Sequence, residues 1–175
     1  MSINVVISRY HNPVDWVYRL NGINQIFIYE KESPDSPYNV PVNKGQEASV
    51  YLKYVVDHYD DLAYYTFFTH DEEYSWHHNG NIVDLFYEAK NSKRLYYNIN
   101  EKCVLGSILD NPLYHELIEW YKTYIEKYIP MNTLPNRDFT VGNRGSAQFL
   151  VHRCLIRRLP KVFYEDLYNW IINYK

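Results

Sequence analysis

Short apolar runs rich in β-branched and aromatic residues alternate along this chain with segments of helical spacing. Ile3 to Ser8, INVVIS, reads as a buried strand. Asn12-Pro13 interrupts it and opens a helix carrying Asp15, Trp16 and Leu20. Gln25 to Tyr29 is a second short strand, followed by the proline-bearing surface loop KESPDSPYNVPVNKG. From Glu47 to about Tyr59, apolar Val50, Tyr54, Val55 and Tyr59 recur at helical spacing. Tyr64 to Thr69 is the third strand, Ile82 to Tyr87 a further helix, and Arg94 to Asn98 a short strand. A helix runs from Asn111-Pro112 through Ile129, Asn136 to Ser146 is polar and glycine-bearing, Ala147 to His152 is a strand, and Lys161 to Tyr174 a closing amphipathic helix. Strands alternating with helices predict an α/β domain, one mostly parallel sheet with helices on both faces.

Composition narrows this picture only modestly. The 175 residues, 46% hydrophobic and 22% charged, suit one globular domain, with room for a small C-terminal annex. A net charge of -3 argues against a broad nucleic-acid surface, the basic residues Arg153, Arg157, Arg158 and Lys161 being local. The twenty tyrosines fit either half-buried strands or stacking sites, and equally a coding bias. Cys103 and Cys154 match no metal or redox spacing. Neither a signal peptide nor an apolar run of membrane-spanning length is evident, so a soluble cytoplasmic protein, of the host cell if viral, is expected.

The densest chemistry is Thr66 to His78, TFFTHDEEYSWHH. Ligand sites in open α/β sheets lie just beyond the carboxyl ends of strands. Asp71 and Glu73 have the D-x-E spacing to hold Mn²⁺ or Mg²⁺ together, a nucleotide diphosphate supplying further oxygens. The same letters can spell an acidic turn facing water, although Trp76 and His77 follow at once and a solvated turn has little need of an indole. His70, His77 and His78 open a zinc reading, without a standard ligand spacing.

Three other stretches add to it. In Asn43-Lys44-Gly45-Gln46-Glu47 a glycine before a helix can bring backbone to an anion. In Arg144 to Arg153 a small-residue turn enters an apolar strand, where Ser146, Gln148, His152 and Arg153 offer polar groups, and composition alone equally spells a buried core strand. Ser8, Arg9 and Tyr10 close the first strand. Motifs of dinucleotide-binding, P-loop and serine-hydrolase type are all missing from the sequence.

VVISRYHNPVDWV resembles the opening strand and helix of glycosyltransferases of the A-type fold. NKGQEASVYLKYVVDHYDDLAYYTFFTHDEE resembles their next segment, with Asp71-Glu72-Glu73 standing as a variant of the D-x-D motif. More closely, SRYHNPVDW, NKGQE, His70 with Trp76-His77, and AQFLVHRCLIRRLPKVFY resemble a family of uncharacterised domains of fungi, bacteria and large DNA viruses. The chain is also similar to small glycosyltransferases of large DNA viruses that decorate capsid proteins.

The resemblance implies a nucleotide-binding core of glycosyltransferase A type. It implies transfer from a UDP- or GDP-sugar to a glycan or glycoprotein acceptor, with Mn²⁺ or Mg²⁺ on Asp71 and Glu73, joined by His152. Ser8, Arg9, Tyr10 and Tyr29 would line the nucleoside pocket. Asn43, Gly45, His70 and Trp76 would meet the rest of the donor, as would Ser146, Gln148 and Arg153, and His77 or Glu72 would act as base. Two other readings stand beside it: a metal-dependent hydrolase using the cluster at 70–78, and a non-catalytic carbohydrate-binding module.

Overall fold

The computed structural model describes residues 2–101, 104–107, 118–130, 140–143 and 148–174. In chain order these carry β1 (Ile3–Arg9), a 3-10 turn (Asp15–Arg19), β2 (Gln25–Lys31), β3 (Asn39–Val40), α1 (Gln46–His58), β4 (Tyr65–His70), α2 (Ile82–Ser92) and β5 (Tyr96–Asn98). There follow β6 (Val104–Ser107), a π-helical turn (Tyr121–Ile125), β7 (Thr140–Asn143), β8 (Phe149–His152), the short α3 (Arg153–Ile156) and α4 (Lys161–Asn173). Residues 1–101 and 146–175 form one compact α/β unit, and residues 102–145 cluster as a smaller one containing the antiparallel β6–β7 pair.

The α/β unit is built on a six-stranded mixed sheet of order β3-β2-β1-β4-β8-β5. β1 pairs parallel with both β2 and β4, β2 pairs parallel with β3, and β8 runs antiparallel between β4 and β5. β1 lies between two strands and is buried through its first six positions, which explains its unbroken apolar spelling. Its successive side chains enter opposite cores. Ile3, Val5 and Ile7 pack with Trp16, Val17 and the inner face of α2, whereas Val6 packs with Phe27, Phe68 and the α1 residues Val50 and Tyr54. Helices thus cover both faces, as the alternation of patterns predicts.

Two expectations change. The segment after Pro13 forms only a five-residue 3-10 turn rather than a helix. Its anchors are Trp16 and Val17, both buried, and Gly22 follows at φ 69, so no longer apolar stripe is there to carry a helix onward. The loop over 31–45 contains an edge strand: Val40, fully buried between Pro37 and Pro41, pairs with Lys31. The sheet is mixed: β1 to β4 run parallel, and β8 enters between β4 and β5 from the opposite direction. The helix expected from Asn111 lies outside the described residues up to 117, and Cys103, Arg144, Ser146 and Ala147 lie outside them too.

Candidate active site

After β1 the chain adds β2 and β3 on one side, then returns through α1 to place β4 on the other. The strand order therefore reverses between β1 and β4, and a crevice beyond their carboxyl ends is where such sheets bind ligands. Ser8 and His70, the paired residues at that end, both line a cleft of about 490 Å³. Lys31, Asn43, Glu47 and Gln46 line its α1 side, and Glu72, Trp76 and His77 the other.

Asp71, just beyond β4, lines the cleft with its carboxylate engaged by the turn after β1. Oδ2 accepts the backbone N–H groups of Tyr10 (2.7 Å), Asn12 (3.0 Å) and His11 (3.1 Å), and Oδ1 accepts Asn12 Nδ2 at 3.1 Å. Its carbonyl accepts the Trp16 indole at 3.0 Å. Burial by itself raises the Asp71 carboxyl pKa, but these donors outweigh it and hold the group below the ordinary carboxylate value. Asp71 is thereby the anchor that ties the turn after β1 to the end of β4. Glu73 turns to Arg19 and lies outside the lining of the cleft. The D-x-E pair shares a second groove with Asp15, where Asp71 is taken up by four N–H donors and Glu73 is paired with the Arg19 guanidinium.

Another group converges. Ligand atoms of His70, Glu72 and His77 all lie within 4.8 Å of one another. The His70 and His77 rings meet edge to face, centroids 4.9 Å apart, and the buried Nε2 of His70 has no hydrogen-bond partner. His77 is only 3% exposed, and its orientation is fixed from behind. Thr69 Oγ1 donates to Gln148 Oε1 (2.6 Å), and the Gln148 amide Nε2 meets His77 Nδ1 at 3.3 Å. On the far side of the ring, His77 Nε2 meets Ser75 Oγ at 2.8 Å. Burial pushes the His77 imidazole below its ordinary pKa, and the neighbouring His70 and His78 push it the same way. His78 is likewise lowered, chiefly by burial.

Other expected residues divide by location. Tyr10, 59% exposed, and Trp76, 65% exposed, stand at the cleft, and Asn43 lines it while accepting from Lys31 Nζ at 3.2 Å. Arg9 pairs with Glu30 at 2.6 Å and lines a separate groove beneath the 33–38 loop. Tyr29 is a core residue, because the alternation of β2 sends it, with Phe27, under α1. Gly45 serves packing: it caps α1 at φ 64, and a Cβ there would lie 2.5 Å from Ile171 Cγ2 of α4.

His152 and Arg153 fall at the wrong end of the sheet. β8 is antiparallel, so His152 pairs with Tyr65 at the start of β4, about 16 Å along the strand from His70. His152 Nδ1 there caps α3, accepting Cys154 N–H at 3.1 Å, and Arg153 covers the Tyr64 ring at 4.2 Å. For the same reason Gln148, at the entry to β8, lies behind the cleft against His77. Ser146 lies outside the described residues.

Lys31 was not anticipated. Its amine meets two neutral acceptors, the Gln46 carbonyl and Asn43 Oδ1, with Glu47 and Glu32 near enough to act on it electrostatically. Burial nevertheless lowers its pKa overall. Its position at the end of β2, two residues beyond Tyr29, was the available signal.

No curated protein and no solved structure matches the chain. One family model does, over residues 5–175, which takes in β1, the Asp71 anchor, His70, His77 and Gln148 alike: the chain belongs to the family described as protein of unknown function, DUF3431.

Proposed function

We propose that this protein is a nucleotide-sugar-dependent glycosyltransferase with a core of A type, acting with a divalent cation such as Mn²⁺. The observation that carries this reading is the pairing, in one cleft at the β1/β4 crevice, of a lysine amine with a cluster of metal-ligating groups. A nucleoside diphosphate sugar carries charge that both would recognise. Lys31 takes one phosphate as a point charge, and a bound cation neutralises charge on the leaving diphosphate. Tyr10 and Trp76 give flat, accessible surfaces at the cleft for a base or a sugar ring. In the transfer, the acceptor hydroxyl oxygen bonds to the anomeric carbon as the bond to the diphosphate breaks, and the hydroxyl proton passes to Glu47, a cleft carboxylate outside the metal-ligating group. Glycans and glycoproteins are the proposed acceptors.

Isothermal titration with UDP- and GDP-sugars tests this. Wild-type protein should bind one of them only when Mn²⁺ is present, and Lys31→Ala should weaken that binding about tenfold, ~1.4 kcal/mol. An absence of donor binding, or an unchanged Kd in Lys31→Ala, would sink the reading.

One observation favours a second reading. Two imidazoles and one carboxylate are also the donor set of catalytic zinc in hydrolases. Zinc retained in stoichiometric amount through purification, without affinity for nucleotide sugars, would select it.

A further inference from the structure

We propose that His70, Glu72 and His77 are the metal ligands of this cleft, with Gln148 positioning His77, and that the site selects ions accepting imidazole nitrogen over Mg²⁺. The inference deepens the transferase reading, in which a cation meets the donor, but the ligand set stands on its own geometry and serves the hydrolase equally.

The three residues reach one point from two short segments. His70 is the last residue of β4, Glu72 follows the Asp71 anchor, and His77 lies on the loop that leads to α2. That loop is pinned: Ile82 N–H donates to the Glu73 carbonyl at 2.9 Å, and Glu101 N–H to the His77 carbonyl at 2.9 Å. Asp71, by taking up four N–H donors, holds the backbone from which the side chains of His70 and Glu72 project on either side of it. Ligand atoms around a bound ion sit roughly 3 to 3.5 Å apart. The present spread, up to 4.8 Å, has therefore to close by about 1.3–1.8 Å, to which a turn of the half-buried Glu72 side chain can contribute.

Two further observations point to an ion. His70 Nε2 is buried without a hydrogen-bond partner, a condition that costs free energy unless something occupies it. His77 is held in the manner of a ligand histidine, one nitrogen backed by a fully buried amide and the other turned away from it. With Nδ1 toward Gln148, Nε2 is the coordinating nitrogen, released by Ser75. Metal ligation through Nε2 requires Nδ1 to donate, and the Gln148 amide turned over presents its oxygen for that bond. Two nitrogens and one carboxylate suit Mn²⁺, Co²⁺ or Zn²⁺, whereas Mg²⁺ prefers an all-oxygen shell.

Titration of full-length protein with Mn²⁺, Co²⁺, Zn²⁺ and Mg²⁺, without nucleotide, tests the assignment independently of any transferase activity. The expected result is one site per chain for the first three ions and none for Mg²⁺, with a Co²⁺ absorption band in the visible. His70→Ala and Glu72→Gln should each lose at least tenfold in affinity, and Gln148→Met about 10- to 100-fold. Glu73→Gln should bind as wild type does. Circular dichroism keeps misfolded variants out of the comparison, and Glu72→Gln, half-exposed, tests the ligand set even if the buried positions fail to fold. Wild-type affinity in folded Glu72→Gln, loss of binding in Glu73→Gln, or Mg²⁺ bound as tightly as Mn²⁺ would overturn the proposal. Loss of nucleotide-sugar binding with the metal site intact would overturn only the transferase reading.

Discussion

Asp71 shows how much one carboxylate can organise. It is 4% exposed and takes three backbone N–H groups in a row from the turn after β1, together with the Asn12 amide. An ionised acceptor makes these bonds stronger than neutral ones. Asp71→Asn keeps one oxygen but loses the charge and sets an amide against N–H donors. We expect a loss of about 2 kcal/mol in stability, measured by urea unfolding. A loss under 0.5 kcal/mol would show that the anchor is dispensable. The residue scale also shows what the letters D-x-E leave out: the hydrogen-bond and ion-pair partners of Asp71 and Glu73 lie at positions 10–12 and 19, far away in sequence.

Among the elements, the approach of α4 to the start of α1 is the tightest constraint. Gly45 adopts φ 64 and Gln46 follows at φ 46, while Ile171 Cγ2 occupies the space a Cβ would need. Gly45→Ala therefore combines backbone strain with a clash on a β-branched side chain that cannot swing aside. It should cost about 1–3 kcal/mol, seen as a lower melting temperature, and Ile171→Ala made with it should recover part of the loss. Full additivity of the two changes would contradict the contact. The helix boundary here was legible from the glycine; its cause was not, because Ile171 lies 126 positions on. β8 gives the counterpart. Its apolar letters predict a strand without direction, and direction decides which end meets the cleft. Gln148 enters the site and His152 leaves it by that choice alone.

For the molecule as a whole, the buried imidazoles and the Asp71 anchor set the response to acid. His77 and His78 have folded-state pKa values below the ordinary 6.5, so the unfolded chain binds more protons in that range. Their contribution to stability is complete above pH 6.5 and is lost as pH falls through the depressed folded values. Asp71, also depressed, contributes above its ordinary 3.8 and loses that contribution at lower pH still. Unfolding midpoints should therefore fall in two stages on acidification, the first beginning below about pH 6.5. His77→Gln should flatten that first stage, and an unchanged profile would remove His77 from this role. Among the described residues no helix is long and apolar enough to cross a membrane.

The sequence by itself determined the α/β class, most of the strands and the two long helices α1 and α4, because apolar periodicity is a local property that burial on two helix-covered sheet faces enforces. It also marked the segment 66–78 as the place for chemistry, since a strand ending in imidazoles and carboxylates is visible in the letters alone. Only the tertiary structure decided which of those letters face the cleft. That choice depended on N–H donors from the turn after β1, on an arginine from the 3-10 turn, on a lysine from β2 and on the antiparallel entry of β8. Each is a contact between segments remote in the chain, and no local pattern encodes a hydrogen bond whose partner lies sixty residues away.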